Sequence, residues 1–452
     1  MIKTINKLIR RVLILSLLAL AVGVALFAVL SGSGADEAFS SSLVDSEVVN
    51  VMLTLMVILP LCLAVLAAGT WTVMRLLCRY DDNKTGKRKK REEGDRFTML
   101  NELDDRFTYY NPPKYENERS LSRICEDFRD FAASELGLYY SIDDIRRFVA
   151  GLGVTRLIIL QGMSGTGKTS LAYAFGRYIK NDSVVVPVQP MWKERSDIIG
   201  YFNEFTKKFN ETTLLRKMYE AGYKREMYIT VLDEMNISRI EYYFAEFLSL
   251  LELPDEEKRY LDVVSDVWES DPIRLVEGKI KLPPNMWFVG TANNDDSTFA
   301  ISDKVYDRAM VLNLEKKCEP FEAPERPAVK ISYPRFCELV REAQATYALS
   351  EKQEENIRRL DAYLVEKFRI SFGNRIMKQI REYVPVHMAC GGSEVSALDD
   401  IFARKVLRKL EAQAPVYVRN ESPALMKLLD DLFGQGNMPE CTAYLERFEH
   451  AV

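Results

Sequence analysis

Residues 156–169 read Arg156-Leu-Ile-Ile-Leu-Gln161-Gly162-Met-Ser-Gly-Thr-Gly-Lys168-Thr169. The stretch begins with a short apolar run, which is typical of a buried parallel strand. The run is followed by a full match to the pattern GxxxxGK[ST], and apolar residues then recur at helical spacing. A strand, a glycine-rich turn and a helix in this order predict a phosphate-binding loop.

The residue types in this turn suit the binding of phosphate. Glycines let the backbone pass close to phosphate oxygens with its N–H groups pointing inward, and the helix N-terminus adds a favourable dipole. Lys168 would place a charge on the terminal phosphates, and Thr169 would offer its hydroxyl to Mg²⁺. The predicted nucleotide-binding residues are Gly162, Met163, Ser164, Gly165, Thr166, Gly167, Lys168, Thr169 and Ser170.

A second strand pattern ends in two carboxylates, in the run Tyr228-Ile-Thr-Val-Leu-Asp233-Glu234. An open parallel sheet places its ligand chemistry at the carboxyl ends of its strands. Asp233 is therefore a candidate ligand in the Mg²⁺ shell, and Glu234 is a candidate to polarise the attacking water. Together with the phosphate-binding loop, these acids predict hydrolysis of a nucleoside triphosphate.

Two further strand patterns follow along the chain. Met286-Trp-Phe-Val-Gly-Thr291 precedes Asn293, which could hold the water or the γ-phosphate or could simply form a turn. The segment from Tyr306 to Leu314 places Arg308 just before a fifth predicted strand. These patterns favour an α/β fold with a parallel sheet.

The set GMSGTGKTS, VLDEMN, FVGTANNDDS and VYDRA resembles the AAA+ superfamily of P-loop NTPases, and most of all its McrB-like and MoxR-like branch, whose second motif reads DE-x-N. The resemblance covers about residues 119–415. It implies a core with a parallel five-stranded sheet, followed by an all-α lid. It also implies ATP as the substrate, with GTP as the alternative, and Mg²⁺ as the cofactor.

The resemblance also implies site roles and an assembly. Asn293 matches the sensor asparagine, with Asn294 as its substitute, and Arg308 matches the arginine finger that acts on nucleotide held by a neighbouring subunit. Arg375, in Phe372-Gly-Asn-Arg375, is placed like the second-sensor arginine of the lid. An arginine that acts on a neighbour implies a homo-oligomer, and the family implies a hexameric ring. The alternative for both arginines is a surface salt bridge.

The chain departs from the branch at one point and resembles it at another. McrB-like proteins often carry arginine directly after the asparagine of DE-x-N, but here Ile237 follows Asn236, and Arg239 is the nearest substitute. A predicted hairpin insert carries aromatic residues, among them Tyr201, Phe202 and Phe205. They are either candidates for gripping a substrate in a ring pore or part of a locally packed hairpin.

The first 78 residues predict a transmembrane hairpin. Val12–Leu30 and Val48–Met74 carry no charge, and each is long enough for a helix that spans a bilayer. Lysines and arginines flank the pair, whereas the loop 31–47 has none, so both ends are expected in the cytosol. The alternative for the first segment is a cleaved signal peptide. The sequence therefore predicts a multi-pass protein of the cytoplasmic membrane with its ATPase domain in the cytosol.

The charge of the chain is unevenly distributed. Residues 1–93 carry twelve Lys or Arg and eight Asp or Glu, a balance of +4, so residues 94–452 carry −9 of the total of −5. Because the soluble part is acidic, we do not expect it to bind nucleic acid directly. The basic cluster at 84–91 could contact membrane lipid or could only fix orientation. Seven scattered cysteines without a CxxC pair suggest free thiols.

These observations predict four segments: a transmembrane hairpin at 1–78, a charged juxtamembrane linker at 79–118, an AAA+ core at 119–315, and a helical lid with the C-terminal region at 316–452. The expected function is a membrane-anchored ATPase that couples ATP hydrolysis to remodelling of an unknown protein partner. The alternative is a nucleotide-gated McrB-like component of a defence or restriction system, which would act with a separate nuclease or effector. An inactive scaffold is disfavoured by the intact hydrolytic residues.

Overall fold

The computed structural model describes residues 95–293, 298–315 and 317–450, together with Gly69. The strands are β1 (Leu157–Gln161), β2 (Val184–Pro187), β3 (Gly200–Asn203), β4 (Lys208–Glu211), β5 (Tyr228–Asp233), β6 (Tyr260–Asp262), β7 (Leu275–Val276), β8 (Lys279–Lys281), β9 (Met286–Ala292) and β10 (Met310–Asn313). The helices up to the last strand of the main sheet are α1 (Met99–Phe107), α2 (Leu121–Leu136), α3 (Ile142–Val154), α4 (Lys168–Tyr178), α5 (Arg195–Ile199), α6 (Thr213–Ala221), α7 (Ile240–Tyr243), α8 (Ala245–Glu252) and α9 (Asp303–Tyr306). The later helices are α10 (Tyr333–Thr346), α11 (Glu351–Phe368), α12 (Gly373–Ala389), α13 (Glu394–Ile401), α14 (Pro415–Phe433) and α15 (Pro439–His450).

A five-stranded sheet with the order β10-β1-β9-β5-β2 forms the centre of the core, and every neighbouring pair in it is parallel. Strands β1 and β9 are buried along their whole length, because helices cover both faces of the sheet. The prediction of an α/β core with a parallel five-stranded sheet is confirmed. The carboxyl ends of β1, β9 and β5 lie side by side, so the polar residues that follow them share one edge.

Helices cover the two faces of the sheet in separate apolar clusters. On one face, Trp287 and Val289 of β9 belong to the same buried cluster as Leu171 and Phe175 of α4. On the other face, Phe288 packs edge-on against Phe244 and Phe247. The alternation of β9 residues between the two clusters follows from the two-residue period of a strand.

The segment from residue 95 to residue 107 is folded onto the core, which differs from the linker expected over 79–118. Arg96 is only 2% exposed, pairs with Asp271 at 2.6 Å, and lies 4.4 Å over the ring of Trp268. Phe97 stacks on Phe209 of β4 with ring centroids 4.9 Å apart. The charged residues misled the sequence prediction, because their partners lie more than a hundred residues away in the chain. Residues 79–94 lie outside the described ranges.

Helix α1 is capped by a side chain from another element. The N-cap residue Thr98 makes no side-chain cap. Instead, the Glu211 carboxylate at the end of β4 accepts hydrogen bonds from the backbone N–H groups of Thr98, Met99 and Leu100, at 2.7, 2.8 and 2.8 Å. A carboxylate at a helix N-terminus is also stabilised by the helix dipole. Glu211 therefore fastens the N-terminal segment to the β3–β4 hairpin.

We expect Glu211→Gln to loosen helix α1, because the neutral amide is a weaker acceptor for three N–H groups and loses the dipole interaction. Hydrogen bonds to charged groups contribute about 1.5–3 kcal/mol, so amides of residues 98–107 should exchange with solvent about tenfold faster or more. Hydrogen–deuterium exchange measured by mass spectrometry checks this. Glu204→Gln is the matched control, since Glu204 pairs only with the neighbouring Lys207 in the same hairpin. Equal exchange in both variants would contradict the capping role.

Two small antiparallel sheets project from the core. The β3–β4 hairpin is the predicted insert. Its tip exposes Phe205 at 99%, and Tyr201, which is 52% exposed, lies in β3 near the base of the hairpin. Strands β6, β8 and β7 form the second sheet, which lies between α8 and β9 in the chain. Phe202 of the hairpin packs edge-on against Trp268 of the second insertion. One side of the hairpin is thus packed locally, while its tip remains open to a partner.

Helices α10 to α15 follow the core, as the helical periodicity predicts. Between α13 and α14 the chain forms a wider π-helical turn, Phe402–Val406, and then a tighter 3-10 segment, Leu407–Ala412. Lys405, within the π-helical turn, donates to the Tyr306 carbonyl oxygen at 2.7 Å. This bond ties the helical region to α9.

The predicted membrane segments 12–30 and 48–74 fall in the part of the chain that the structure does not describe, so they stay a prediction. Within the described ranges, no helix is long and apolar enough to cross a bilayer. The described cysteines at 125, 318, 337, 390 and 441 are free thiols.

Candidate functional site

The glycine-rich loop has a backbone that side chains would obstruct. Gly162, Gly165 and Gly167 have φ angles of 144°, 81° and 88°, a region that residues with a Cβ atom rarely adopt. A Cβ atom at Gly162 would lie 2.2 Å from the Leu314 carbonyl oxygen. The glycines of the pattern are therefore required by geometry, and the loop curls between β1 and the N-terminus of α4.

Lys168 lies at the start of α4 and is turned back over the loop. Its Nζ donates to the carbonyl oxygens of Gly162 and Met163 at 2.9 and 2.7 Å. The side chain is buried, so its charge acts in a region with little water to screen it. This arrangement holds a cation at the mouth of the loop, where terminal phosphates would bind.

Thr169 and Asp233 meet at the carboxyl edge of the sheet. The Thr169 hydroxyl donates to Asp233 Oδ1 at 2.6 Å, although the two residues are far apart in the chain. A hydroxyl and a carboxylate are hard oxygen donors of the kind that Mg²⁺ prefers, and Mg²⁺ usually completes its shell with phosphate oxygens and water. Within the described ranges no group of three or more His, Cys, Asp and Glu could hold a metal. The pair therefore fits a magnesium ion that is shared with a bound triphosphate.

Glu234 follows Asp233 in a left-handed backbone conformation, with φ at 53°. Its N–H donates to the Thr291 hydroxyl at 2.8 Å, and its side chain is exposed. Non-glycine residues in this region carry strain of about 1–3 kcal/mol and persist where the surroundings hold them. The turn separates the two acids, so that Asp233 faces Thr169 while Glu234 is accessible to water.

Asn293 stands directly after β9, and its backbone is held by Asn236. Asn236 Nδ2 donates to the Asn293 carbonyl oxygen at 2.9 Å, and also to that of Phe299 at 3.3 Å. The asparagine of the DE-x-N motif thus clamps both ends of the loop that carries the predicted sensor. The substitute Asn294 lies among the residues that are not described. Arg239 is exposed and lies 5.1 Å over the Phe299 ring.

Arg308 and Arg375 converge on one carboxylate, Glu252, at the end of α8. Arg308 pairs with Glu252 Oε2 at 2.5 Å and also donates to the Lys304 carbonyl oxygen. Arg375 pairs with the other oxygen, Oε1. The contacts of these two arginines are thus at Glu252 rather than at Thr169 or Asp233. The structure brings the two predicted arginines together, at a place other than the phosphate-binding loop of their own chain.

Three residues of the site were missed in the sequence. Thr291 donates to Asp233 Oδ1 at 3.0 Å, Tyr140 donates to the Gly167 carbonyl oxygen at 3.0 Å, and Glu252 joins the arginines. Burial raises the pKa of Tyr140, so its hydroxyl keeps its proton at neutral pH and remains a donor. The run FVGTANNDDS, which was matched to the family, contains Thr291, but nothing in the sequence assigned a role to the hydroxyl of this residue.

A cavity of about 500 Å³ adjoins the sensor loop, between the sheet edge and the helical region. Its lining includes Gln161, Asn236 and Asn293 from the core and Arg404 and Arg408 from the helical region. Arg408 lies 3.3 Å from the Tyr306 ring centroid and pairs with Asp303. The lid therefore reaches the same edge of the sheet as the predicted sensor.

Comparison with known proteins agrees with this geometry. Residues 157–309 match the family model "AAA domain (dynein-related subfamily)", and residues 328–451 match "Domain of unknown function (DUF8727)". A full-length MCM homolog from Methanopyrus kandleri is similar at 11% identity and a TM-score of 0.35, covering 69% of this chain and 61% of that one. That similarity is too low to carry an argument. None of the curated proteins matches the chain.

Four of the five strands of the main sheet, the glycine-rich loop and the contact between Thr169 and Asp233 fall within the matched range, and β10 follows it directly. The match covers about a third of the chain, so it describes this domain and not the whole protein. Residues 157–309 are therefore similar to an AAA domain of the dynein-related subfamily.

Proposed function

We propose that this protein is a membrane-anchored AAA+ ATPase that couples ATP hydrolysis to the remodelling of a protein partner. The observation that carries the ATPase part is the hydrogen bond of 2.6 Å between Thr169 and Asp233, beside a buried Lys168. These three groups serve the same bound ligand in phosphoryl transfer, and ATP with Mg²⁺ fits their chemistry. GTP is the alternative substrate.

Each residue of the site has a role in hydrolysis. Lys168 Nζ exchanges the carbonyl oxygens of Gly162 and Met163 for the terminal phosphates. Thr169 and Asp233 would hold the metal, which would neutralise charge on the phosphate oxygens. Glu234 orients a water and accepts its proton, because its carboxylate is accessible at the turn. Asn293 is placed after β9 to hold the γ-phosphate or the water.

The two arginines support an assembly of several copies. Arg308 and Arg375 form a pair of positive charges about Glu252, and a phosphate held by a neighbouring copy would bind such a pair well. An arginine from one copy would stabilise the negative charge that develops on the phosphoryl group held by the next copy, which requires an assembly. We propose that this assembly is a hexameric ring.

The exposed hairpin is the proposed contact with the partner. Phe205 at its tip is 99% exposed and Tyr201 of β3 is 52% exposed, so both aromatic rings are accessible to a partner. The base of the hairpin is held by Phe209 and Glu211, so the tip projects from a rigid support. In a ring, such tips could grip an unfolded segment of protein through apolar contacts.

The membrane anchor is supported by the sequence of residues 1–78. Two uncharged segments and positively charged flanks favour a hairpin in the cytoplasmic membrane, with the ATPase domain in the cytosol. Alkaline carbonate extraction of membranes from cells expressing the full chain tests the anchor. We expect the protein to stay in the pellet, and release into the supernatant would contradict the anchor.

A crosslinking pull-down tests the remodelling role. We expect Glu234→Gln to retain ATP and a bound partner, whereas Lys168→Ala, which lacks the phosphate-binding charge, should capture little. Phe205→Ser in the Glu234→Gln background should weaken the capture, since it removes the apolar tip. A partner that is captured equally by Lys168→Ala, or that is indifferent to Phe205→Ser, would contradict ATP-dependent gripping by the hairpin.

A further inference from the structure

Thr291 is a polar residue in a fully buried strand of the sheet. Strand β9 is buried from Met286 to Ala292, and Thr291 is 2% exposed. A hydroxyl in such a place needs hydrogen-bond partners, because an unpaired one would cost about 1–3 kcal/mol. The Thr291 hydroxyl acts both as a donor and as an acceptor, and both of its hydrogen bonds are to residues of the proposed hydrolysis site.

The hydroxyl of Thr291 connects the two catalytic acids. It donates to Asp233 Oδ1 at 3.0 Å, and it accepts the backbone N–H of Glu234 at 2.8 Å. The Thr291 carbonyl oxygen also accepts the N–H of Met235 at 2.8 Å. One residue thus orients the carboxylate of Asp233 and holds the left-handed turn that carries Glu234.

The register of the sheet places this hydroxyl. Leu232 of β5 is paired with Gly290 of β9, so Asp233 and Thr291 are the next residues on neighbouring strands. Thr291 lies two residues after Val289, so the two side chains are on the same side of the strand. Val289 packs in the cluster that contains α4. It therefore faces the helix that begins with Lys168 and Thr169.

Thr291 and Thr169 share the same oxygen of Asp233 but differ in what they can do. Thr169 is the predicted metal ligand. Its hydroxyl can donate its proton to Asp233 Oδ1 and still offer an oxygen lone pair to a metal, so this hydrogen bond does not oppose metal binding. Thr291 lies in a fully buried strand, and its hydroxyl would act only through Asp233 and Glu234.

We propose that Thr291 is a positioning residue for hydrolysis, which keeps Asp233 and Glu234 in register with the metal and the attacking water. This inference rests on the proposed ATPase function and adds a residue to it. Thr291 does not contact the nucleotide in this proposal. Its loss should therefore slow the chemical step and leave nucleotide binding intact.

The test compares Thr291→Val with Thr291→Ser in the full-length protein. Valine keeps the shape and the strand preference but removes the hydroxyl, whereas serine keeps the hydroxyl. We expect Thr291→Val to lower kcat about 10- to 100-fold with KM for ATP within about twofold, and to need more Mg²⁺ for half-maximal turnover. Thr291→Ser should stay within about threefold of the wild type.

Three outcomes would overturn the proposal: a kcat of Thr291→Val equal to that of the wild type, a KM that rises by the same factor as kcat falls, or a Thr291→Ser variant as impaired as Thr291→Val. Binding of a fluorescent ADP analogue and the melting temperature separate a folding defect from the proposed effect. If Thr291→Val fails to fold, Thr291→Ala provides the same comparison. A wild-type protein without turnover would instead contradict the proposed function itself.

Discussion

Replacing Glu234 with glutamine is expected to lower the rate of ATP hydrolysis by about 10²–10⁴-fold, the contribution of a positioned general base. Nucleotide binding should persist, because Lys168 and Thr169 are unchanged and the glutamine side chain has the same size. The backbone turn at this position should also persist, since it depends on the Glu234 N–H and the Thr291 hydroxyl. Phosphate release and the binding of a fluorescent nucleotide analogue measure the two effects separately.

Glu257→Gln is the matched control for this variant. Glu257 is an exposed glutamate that pairs with Lys281 in the second insertion, away from the sheet edge. Its replacement should leave turnover within about twofold of the wild type, as expected for an exposed ion pair. Turnover by Glu234→Gln at the wild-type rate would show that another group activates the water. The same measurements with GTP in place of ATP identify the preferred base.

Arg308→Ala is expected to lower turnover by about 10³-fold or more with little change in nucleotide affinity, as for arginine fingers that act in phosphoryl transfer. The physical reason is charge: the guanidinium stabilises negative charge that develops on the transferred phosphoryl group. In the protomer this guanidinium is paired with Glu252 rather than with Thr169 or Asp233, and we propose that it acts on nucleotide held by a second copy. Steady-state turnover and nucleotide binding, measured side by side, test the first part.

A mixing experiment tests whether the arginine acts between copies. Glu234→Gln and Arg308→Ala are each expected to be inactive alone. In mixed assemblies, one class of interface joins an intact Glu234 to an intact Arg308, so part of the activity should return. An arginine that acts within its own chain would give no recovery on mixing. Arg358→Ala is the control, since Arg358 is an exposed residue of α11 paired with Glu355.

The nucleotide-binding part of the fold was predictable because its signals are local. The phosphate-binding loop needs glycines at φ values that other residues avoid, and it needs a lysine and a hydroxyl at the start of the next helix. All of these lie within fourteen consecutive residues, from Arg156 to Thr169. The apolar run before them is short and uninterrupted, as a strand covered on both faces requires. No contact from elsewhere in the chain was needed to recognise them.

The segment after residue 94 shows why charge patterns mislead. Arg96 and the backbone N–H groups of α1 are satisfied by Asp271 and Glu211, which belong to the two insertions. A sequence rich in charge looks like a solvated linker until the partners of those charges are known. The same reasoning applies to Arg308 and Arg375, because their shared partner Glu252 precedes them by 56 and 123 residues.

The sequence alone was enough to identify a nucleotide-binding α/β core, because each of its motifs is local. The glycine turn and its lysine are a few residues apart, and the two acids directly follow an apolar strand pattern. Folding was needed to bring Thr291 beside Asp233 and to place both arginines on Glu252. Those contacts depend on strand register and on side chains that meet across long stretches of chain, and no local pattern encodes either one.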